Sequence, residues 1–404
     1  MSTLARLNAA DFAAPAAVDK IRSRAMVIGV VAALWSLIGA FVNAEALDAF
    51  YRAYLLGFML CLGASLGSLG LMLVIALTNG RWGLVIRRIL EAAAKNFWFM
   101  AILFLPLCFG GVPHLYPWAN QAALDKSESL KWIHDHFLTQ GTFIARGLIY
   151  FAIWGGLTFF FTRWSAEQDQ PGNRSHSRSS ALAGPGALLF GFTITFAAVD
   201  WVMSLSYSWT STIYGLIFLI GQLLCAVCLA AVVAVFLSRY EPMKTILTID
   251  HLHDYGKWML AFTMVWAYFS FSQWVIMWAG NLPEEIVWYR QRLHGGWQYF
   301  ALFLALFHFV LPFIFLLSAQ LKKEKGSLIW VAYWMLFMTY IDLYWLIMPN
   351  FKNDAGFYFH WLNLTVPVAM GGVWLALFFR NLQGLPLLPL HAPLTAAVLE
   401  PAHE

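Results

Sequence analysis

Apolar residues in this chain do not alternate with polar ones; they come in long blocks broken by short polar stretches. Runs of about 20 apolar residues, the length that crosses a hydrocarbon core of about 30 Å, fall roughly at 25–44, 50–78, 97–112, 139–163, 184–207, 211–238, 257–280, 294–319, 328–349 and 358–380. The pattern predicts an all-α membrane protein with ten transmembrane helices. The stretch 81–98, RWGLVIRRILEAAAKNFW, has the mixed pattern of an amphipathic, interfacial lead-in to the third span. Segment 113–138 contains LDKSESLKWIHDHF and predicts a surface helix, whereas 165–183 is polar, Ser/Gly-rich and reads as a mobile loop. Residues 1–24 carry Asp11, Asp19 and Lys20 without the apolar core of a signal peptide, and 381–404 read as an extended, proline-bearing tail. The transmembrane domain is thus 25–380, with short loops and no room for a soluble catalytic domain.

Composition narrows the class. Of 404 residues, 61% are hydrophobic and 11% charged, against about 25% charged in soluble domains. That excludes a nucleic-acid binder, a disordered scaffold and a secreted disulfide module. The four cysteines all lie in apolar runs; Cys225 and Cys228 have a redox-pair spacing but no His or second pair nearby, which favours helix packing. Placing the N-terminus inside puts 18 of the 25 Lys and Arg residues in inner segments and six in outer loops, with Arg146 inside a span. By the positive-inside rule both termini are cytoplasmic.

A weak internal repeat is visible. Span five carries AAVDWVMSL and span nine TYIDLYWLIMP, each with an Asp (Asp200, Asp342) about two-thirds along its helix. The match suggests two pseudo-repeated four-helix bundles, about 50–207 and 211–349, with spans one and ten peripheral.

Ionisable groups inside a bilayer cost about 2.5–3.5 kcal/mol each on insertion scales, so each one asks for a reason. Arg146, Asp200 and Asp342 fall in the outer third with His360 just above, His308 near the middle, and Lys257 and Glu91 on the inner side. One reading is a proton path, an outer half-channel of Arg146, Asp200, Asp342 and His360 and an inner one of Lys257, Glu91 and His308. The other makes Arg146 and one Asp a structural ion pair and lets His308 donate to a carbonyl freed near Pro312. Aromatic residues at the span ends, among them Trp209, Trp288, Tyr289 and Trp345, read as an interfacial belt on which a quinone ring could also stack. Ligand sets for haem, zinc or iron–sulfur are missing, so no cofactor is expected in this chain.

The stretches FAAVDWVMSLSYSWTSTIYG (196–215), LHDYGKWMLAFTMVWAYFSFSQWVIMWAGNLPEEIVWY (252–289) and DLYWLIMPNF (342–351) resemble the ActF-type membrane subunit of bacterial alternative complex III, in the NrfD/PsrC-like superfamily. The resemblance covers essentially all ten spans. It implies two four-helix bundles in the bacterial cytoplasmic (inner) membrane, within a quinol:electron acceptor oxidoreductase. The implied partners are a sister NrfD-like subunit, multihaem c-type cytochromes and an iron–sulfur/molybdopterin-type subunit, with a terminal oxidase as a further candidate. Haem c and iron–sulfur clusters would belong to those partners. The sister subunit is usually given the quinol site and the ActF type a proton path. Asp200 and Asp342 match the family's acidic positions, and His253, Asp254 and Lys257 its HD-x-x-K segment. Two departures stand out: span four holds no His, and Ser206-Tyr207-Ser208 replaces a proline-containing turn.

Three readings follow. The first is a non-catalytic subunit contributing assembly and a proton path. The second is a quinol-binding subunit of the same complex. The third, suggested by the repeat, midplane His308 and Pro106, Pro312 and Pro367, is a stand-alone secondary transporter.

Overall fold

The computed structural model describes residues 9–170, 175–351, 356–395 and 398. Arg6, Arg174 and Lys352 of the charge count, and the extreme ends of both terminal segments, lie outside the described residues. Among the described residues ten helices are long and apolar enough to cross a membrane: α1 Ala17–Ala40, α2 Ala44–Thr78, α3 Arg81–Leu115, α4 Gln140–Glu167, α5 Ser175–Leu205, α6 Tyr214–Leu237, α7 Ile249–Gly280, α8 Trp297–Leu317, α9 Lys325–Asn350 and α10 Leu362–Leu382. No strand occurs among the described residues. The chain is an all-α, multi-pass membrane protein.

In a bilayer the backbone satisfies its own polar groups only within helices or closed barrels, so burial here reports helix–helix packing. Helices α2 and α6 are the most enclosed, and α1, α7 and α8 turn most of their surface outward. The two central helices pack on each other; α2 also holds α3, α5 and α9, and α6 holds α7, α9 and α5. Each central helix therefore reaches the last helix of the other half, a symmetric exchange. Small residues permit this approach. A Cβ on Gly67 of α2 would stand 1.9 Å from the carbonyl oxygen of Gln222 on α6, a backbone atom that cannot step aside. Gly67→Ala is therefore expected to lower the thermal midpoint by an overpacking cost of about 1–3 kcal/mol. Gly191→Ala, where an added Cβ meets nothing within 4 Å, serves as the neutral control in the same tryptophan-fluorescence melt.

Helix α1 stands outside the core and packs mainly on α10. Its N-terminal end meets the C-terminal end of α10, where Arg22 bonds Gln383 at 2.6 Å, so the start of α1 and the end of α10 share one face, here the terminal face. Three expectations change there. The segment 81–98 is not interfacial: Arg81–Ala94 lies buried on nearly every side, because it packs against α2, α6 and α10. The loop 165–183 is short, since α4 runs to Glu167 and α5 starts at Ser175. The tail is docked rather than free: Leu387 N donates to Phe12 O (2.8 Å) and His391 N to Gln168 O (3.0 Å), with Leu387, Leu388 and Leu390 buried. The apolar residues between the prolines give it something to bury.

Proline explains the two irregular spans. In α3 and α8 the turns Leu107–Gly111 and Ala305–Val310 are π-helical, each just before a proline (Pro113, Pro312). A proline has no N–H and clashes with the carbonyl four residues back, which widens the preceding turn.

Candidate functional site

The two halves treat their acidic residues differently. In the first, Asp200 on α5 accepts from Arg146 Nε (2.8 Å) and its terminal nitrogen (2.9 Å), both from α4, and from the Tyr150 hydroxyl (2.7 Å). Arg146 also bonds Phe137 O at 3.0 Å and lies over the Phe137 ring. Trp154 and Trp201 fill the space alongside, Trp154 donating to Thr193 at 2.8 Å. Fork-to-carboxylate geometry with a third donor leaves Asp200 little capacity to exchange a proton. The void next to it, lined by Trp154, Trp201 and Gln222, is about 10 Å³.

In the second half, Asp342 on α9 has no basic partner among the described residues. It is 7% exposed and accepts one bond, from the Trp266 indole of α7 at 3.2 Å. The π-turn in α8 brings His308 onto a face of this indole, the rings stacked 4.2 Å apart. Asp342 forms part of the wall of a cavity of about 550 Å³ between α7, α8 and α9. The wall is aromatic: Trp209, Tyr214, Trp266, Phe271, Trp274, Trp288, Tyr289, Phe309 and Trp345 all contribute. Trp266 and Gln273 are seven residues apart on α7, and Asp342 and Trp345 three apart on α9, spacings that put each pair on one helix face.

Several polar groups in this wall lack partners. The indole nitrogens of Trp209 and Trp345 and the Gln273 amide nitrogen are buried with no acceptor; the Gln273 oxygen is occupied by the Ser211 hydroxyl. Buried polar groups are ordinarily paired; these three donors belong to residues that line the same cavity as the Asp342 carboxylate. Behind the aromatic wall, Arg292 is fully buried, stacked 3.5 Å from the centre of the Trp288 ring. It donates to Leu346 O (2.8 Å), Trp288 O (3.1 Å) and Asn350 Oδ1 (3.3 Å). Its charge sits at the C-terminal end of α9, where the carbonyls and the helix dipole favour a cation.

The remaining sequence candidates are dispersed. Glu91 is clamped by Arg87 (3.1 Å) and Arg88 (2.9 Å), and Arg88 reaches Asp169 at 2.6 Å, a tie that the docked tail completes through Leu390 N. Lys257 pairs with Asp254 (3.1 Å) on the terminal end of α7, beside His253. His360 stacks on Tyr358 and lies tilted against Trp361 before α10. Arg146 and Asp200 are thus brought together as the ion-pair reading had it, while Asp342 belongs to a separate site. Sequence reasoning gave no special place to Trp266 or Arg292; the seven-residue spacing of Trp266 and Gln273 was the available signal. Among the described residues no group of three or more His, Cys, Asp or Glu side chains could hold a metal ion, and Cys61, Cys108, Cys225 and Cys228 are free and buried. Compared with known proteins, the chain matches no protein-family model and no curated protein.

Proposed function

We propose that this chain is an integral membrane subunit of a respiratory quinol oxidoreductase of the alternative complex III type, seated in the bacterial inner membrane with its terminal face in the cytoplasm. The multi-pass architecture and the likeness of the stretches 196–215, 252–289 and 342–351 to ActF-type subunits support this reading. Within the complex, the α6–α9 half handles protons, and Asp342 is the group that takes them up.

One observation carries the assignment: a buried carboxylate with a single neutral hydrogen-bond donor stands in the wall of a roomy aromatic cavity. An ionisable side chain at membrane depth is a functional candidate by default, and one without a counter-ion can change charge without breaking an ion pair. The size and aromatic lining of the cavity, about 550 Å³ walled by Trp209, Trp266, Trp274, Trp288 and Trp345, favour a second reading beside the first, that the cavity receives the quinol ring itself. Oxidising a quinol removes both hydroxyl protons and a pair of electrons. Asp342 would accept one hydroxyl proton and water at the cavity mouth the other, the aromatic side chains would stack on the ring, and the two electrons would leave to haem and iron–sulfur centres of partner subunits.

The test has two readouts. The tagged chain, extracted in mild detergent, is expected to migrate with c-type haem and iron–sulfur subunits on a native gel. A lone, stable, haem-free band would remove the assignment and favour transport. In the intact complex a photoreactive quinone is expected to label α7 and α9 around Trp266, Gln273 and Trp345. Labelling confined to α2–α5 would overturn the ring-binding reading.

A further inference from the structure

The terminal ends of α7 and α8 hold charges that the proposed function does not use. Gly256 on α7 lets the stem of Lys322 lie along that helix: a Cβ at this position would stand 2.5 Å from Lys322 Cγ. Lys322 belongs to the short helix Ala319–Lys323 linking α8 to α9 and is 7% exposed. Its ammonium makes no hydrogen bond or ion pair among the described residues. Its charged neighbour is Lys257, a like charge, and burial together with that repulsion pushes Lys322 below the usual lysine range. The fields of Lys257, Lys322 and Lys323 also converge on His253.

Counter-charge is scarce. Asp254 is engaged with Lys257 at 3.1 Å, and Glu324 is turned to the Ser327 hydroxyl at 2.6 Å. Holding like charges together around one carboxylate is unfavourable unless an anion bridges them. The surroundings indicate what kind. Ile249 at the start of α7 and Ile314 and Leu317 at the end of α8 are exposed apolar side chains, so a ligand here meets cations at its head and hydrocarbon below. Basic pockets between helices at the cytoplasmic end of a membrane protein suit anionic lipid head groups.

We propose that the junction of α7, the end of α8 and the linking helix at the terminal face binds a phosphate-bearing anion through Lys257, Lys322 and Lys323, supplied by an anionic phospholipid. Gly256 is the built feature of this site, since a side chain there would crowd the Lys322 stem.

The full chain, within its native complex, is to be placed in phosphatidylcholine nanodiscs with increasing phosphatidylglycerol. Retained lipid is read by native mass spectrometry and the unfolding midpoint by tryptophan fluorescence. Phosphatidylglycerol is expected to be retained in preference to phosphatidylcholine and to raise the midpoint. Lys257→Gln is expected to weaken retention about five-fold, the factor that one basic residue near a lipid head group confers. Lys322→Gln is expected to do the same; should it fail to fold, Lys257→Gln, at an exposed position, decides alone. Equal retention of both lipids by the wild type, or unchanged retention in Lys257→Gln, would overturn the site. Inorganic phosphate giving the full midpoint shift in phosphatidylcholine alone would overturn the lipid as its source.

Discussion

Asp342→Asn is expected to lower quinol-linked turnover by about 10²–10⁴-fold, the range that a positioned proton-transfer group contributes, while the complex still assembles. Asparagine keeps the shape of the side chain and an oxygen for the Trp266 indole, which reaches Asp342 at 3.2 Å, but it cannot accept a proton. No ion pair is broken, because Asp342 has no basic partner among the described residues. Trp266→Phe is expected to slow turnover less, since it removes one hydrogen bond and keeps the carboxylate. The measurement is steady-state oxidation of a short-chain quinol by the purified complex, with haem content as the control for assembly. Full turnover and normal proton release in Asp342→Asn, at normal haem content, would sink the role given to this residue.

The largest effect on stability is expected at Arg146. Removing the cation beside a buried carboxylate leaves an uncompensated charge and costs up to about 3–5 kcal/mol. Arg146→Ala would strip Asp200, 1% exposed, of a two-pronged partner and leave it with the Tyr150 hydroxyl. Replacing both members, Arg146→Met with Asp200→Leu, is expected to restore most of the loss, because a packed apolar pair needs no counter-charge. Thermal unfolding of the detergent-solubilised protein reads both. Turnover per assembled complex is expected to stay near the wild-type value in the double variant. A double variant that unfolds normally but has lost turnover would return Asp200 to the proton path.

These two experiments separate residues that look equivalent along the chain. Asp200 and Asp342 occupy matching places in the AAVDWVMSL and TYIDLYWLIMP segments, and the positions of their helices within the two halves also correspond. One half is filled: Trp154, Trp201 and the Arg146 fork close around Asp200 and leave a void of about 10 Å³. The other is hollow, with about 550 Å³ beside Asp342, because α7 and α8 turn much of their surface outward and α7, though packed on α6, touches α9 little. A basic residue on α4 and its lack on α8 were visible in the sequence; the hollow was not.

The sequence by itself determined that this is a ten-span, all-helical membrane protein, because hydrocarbon tolerates only long apolar helices and each leaves an unmistakable run of about 20 residues. It also singled out the charged residues within those runs, since each is costly there. Three-dimensional packing decided their roles. Whether Asp200 pairs with Arg146, whether 81–94 lies on the bilayer or inside the bundle, whether the tail hangs free or docks on Gln168, and whether Asp342 faces packed side chains or an aromatic cavity all depend on which helices are neighbours. Neighbour choice among membrane helices rests on close small-residue contacts such as Gly67 against Gln222 and on the depth at which polar groups meet. Those are relations between residues far apart in the chain, and hydropathy, which reads one residue and its sequence neighbours at a time, does not contain them.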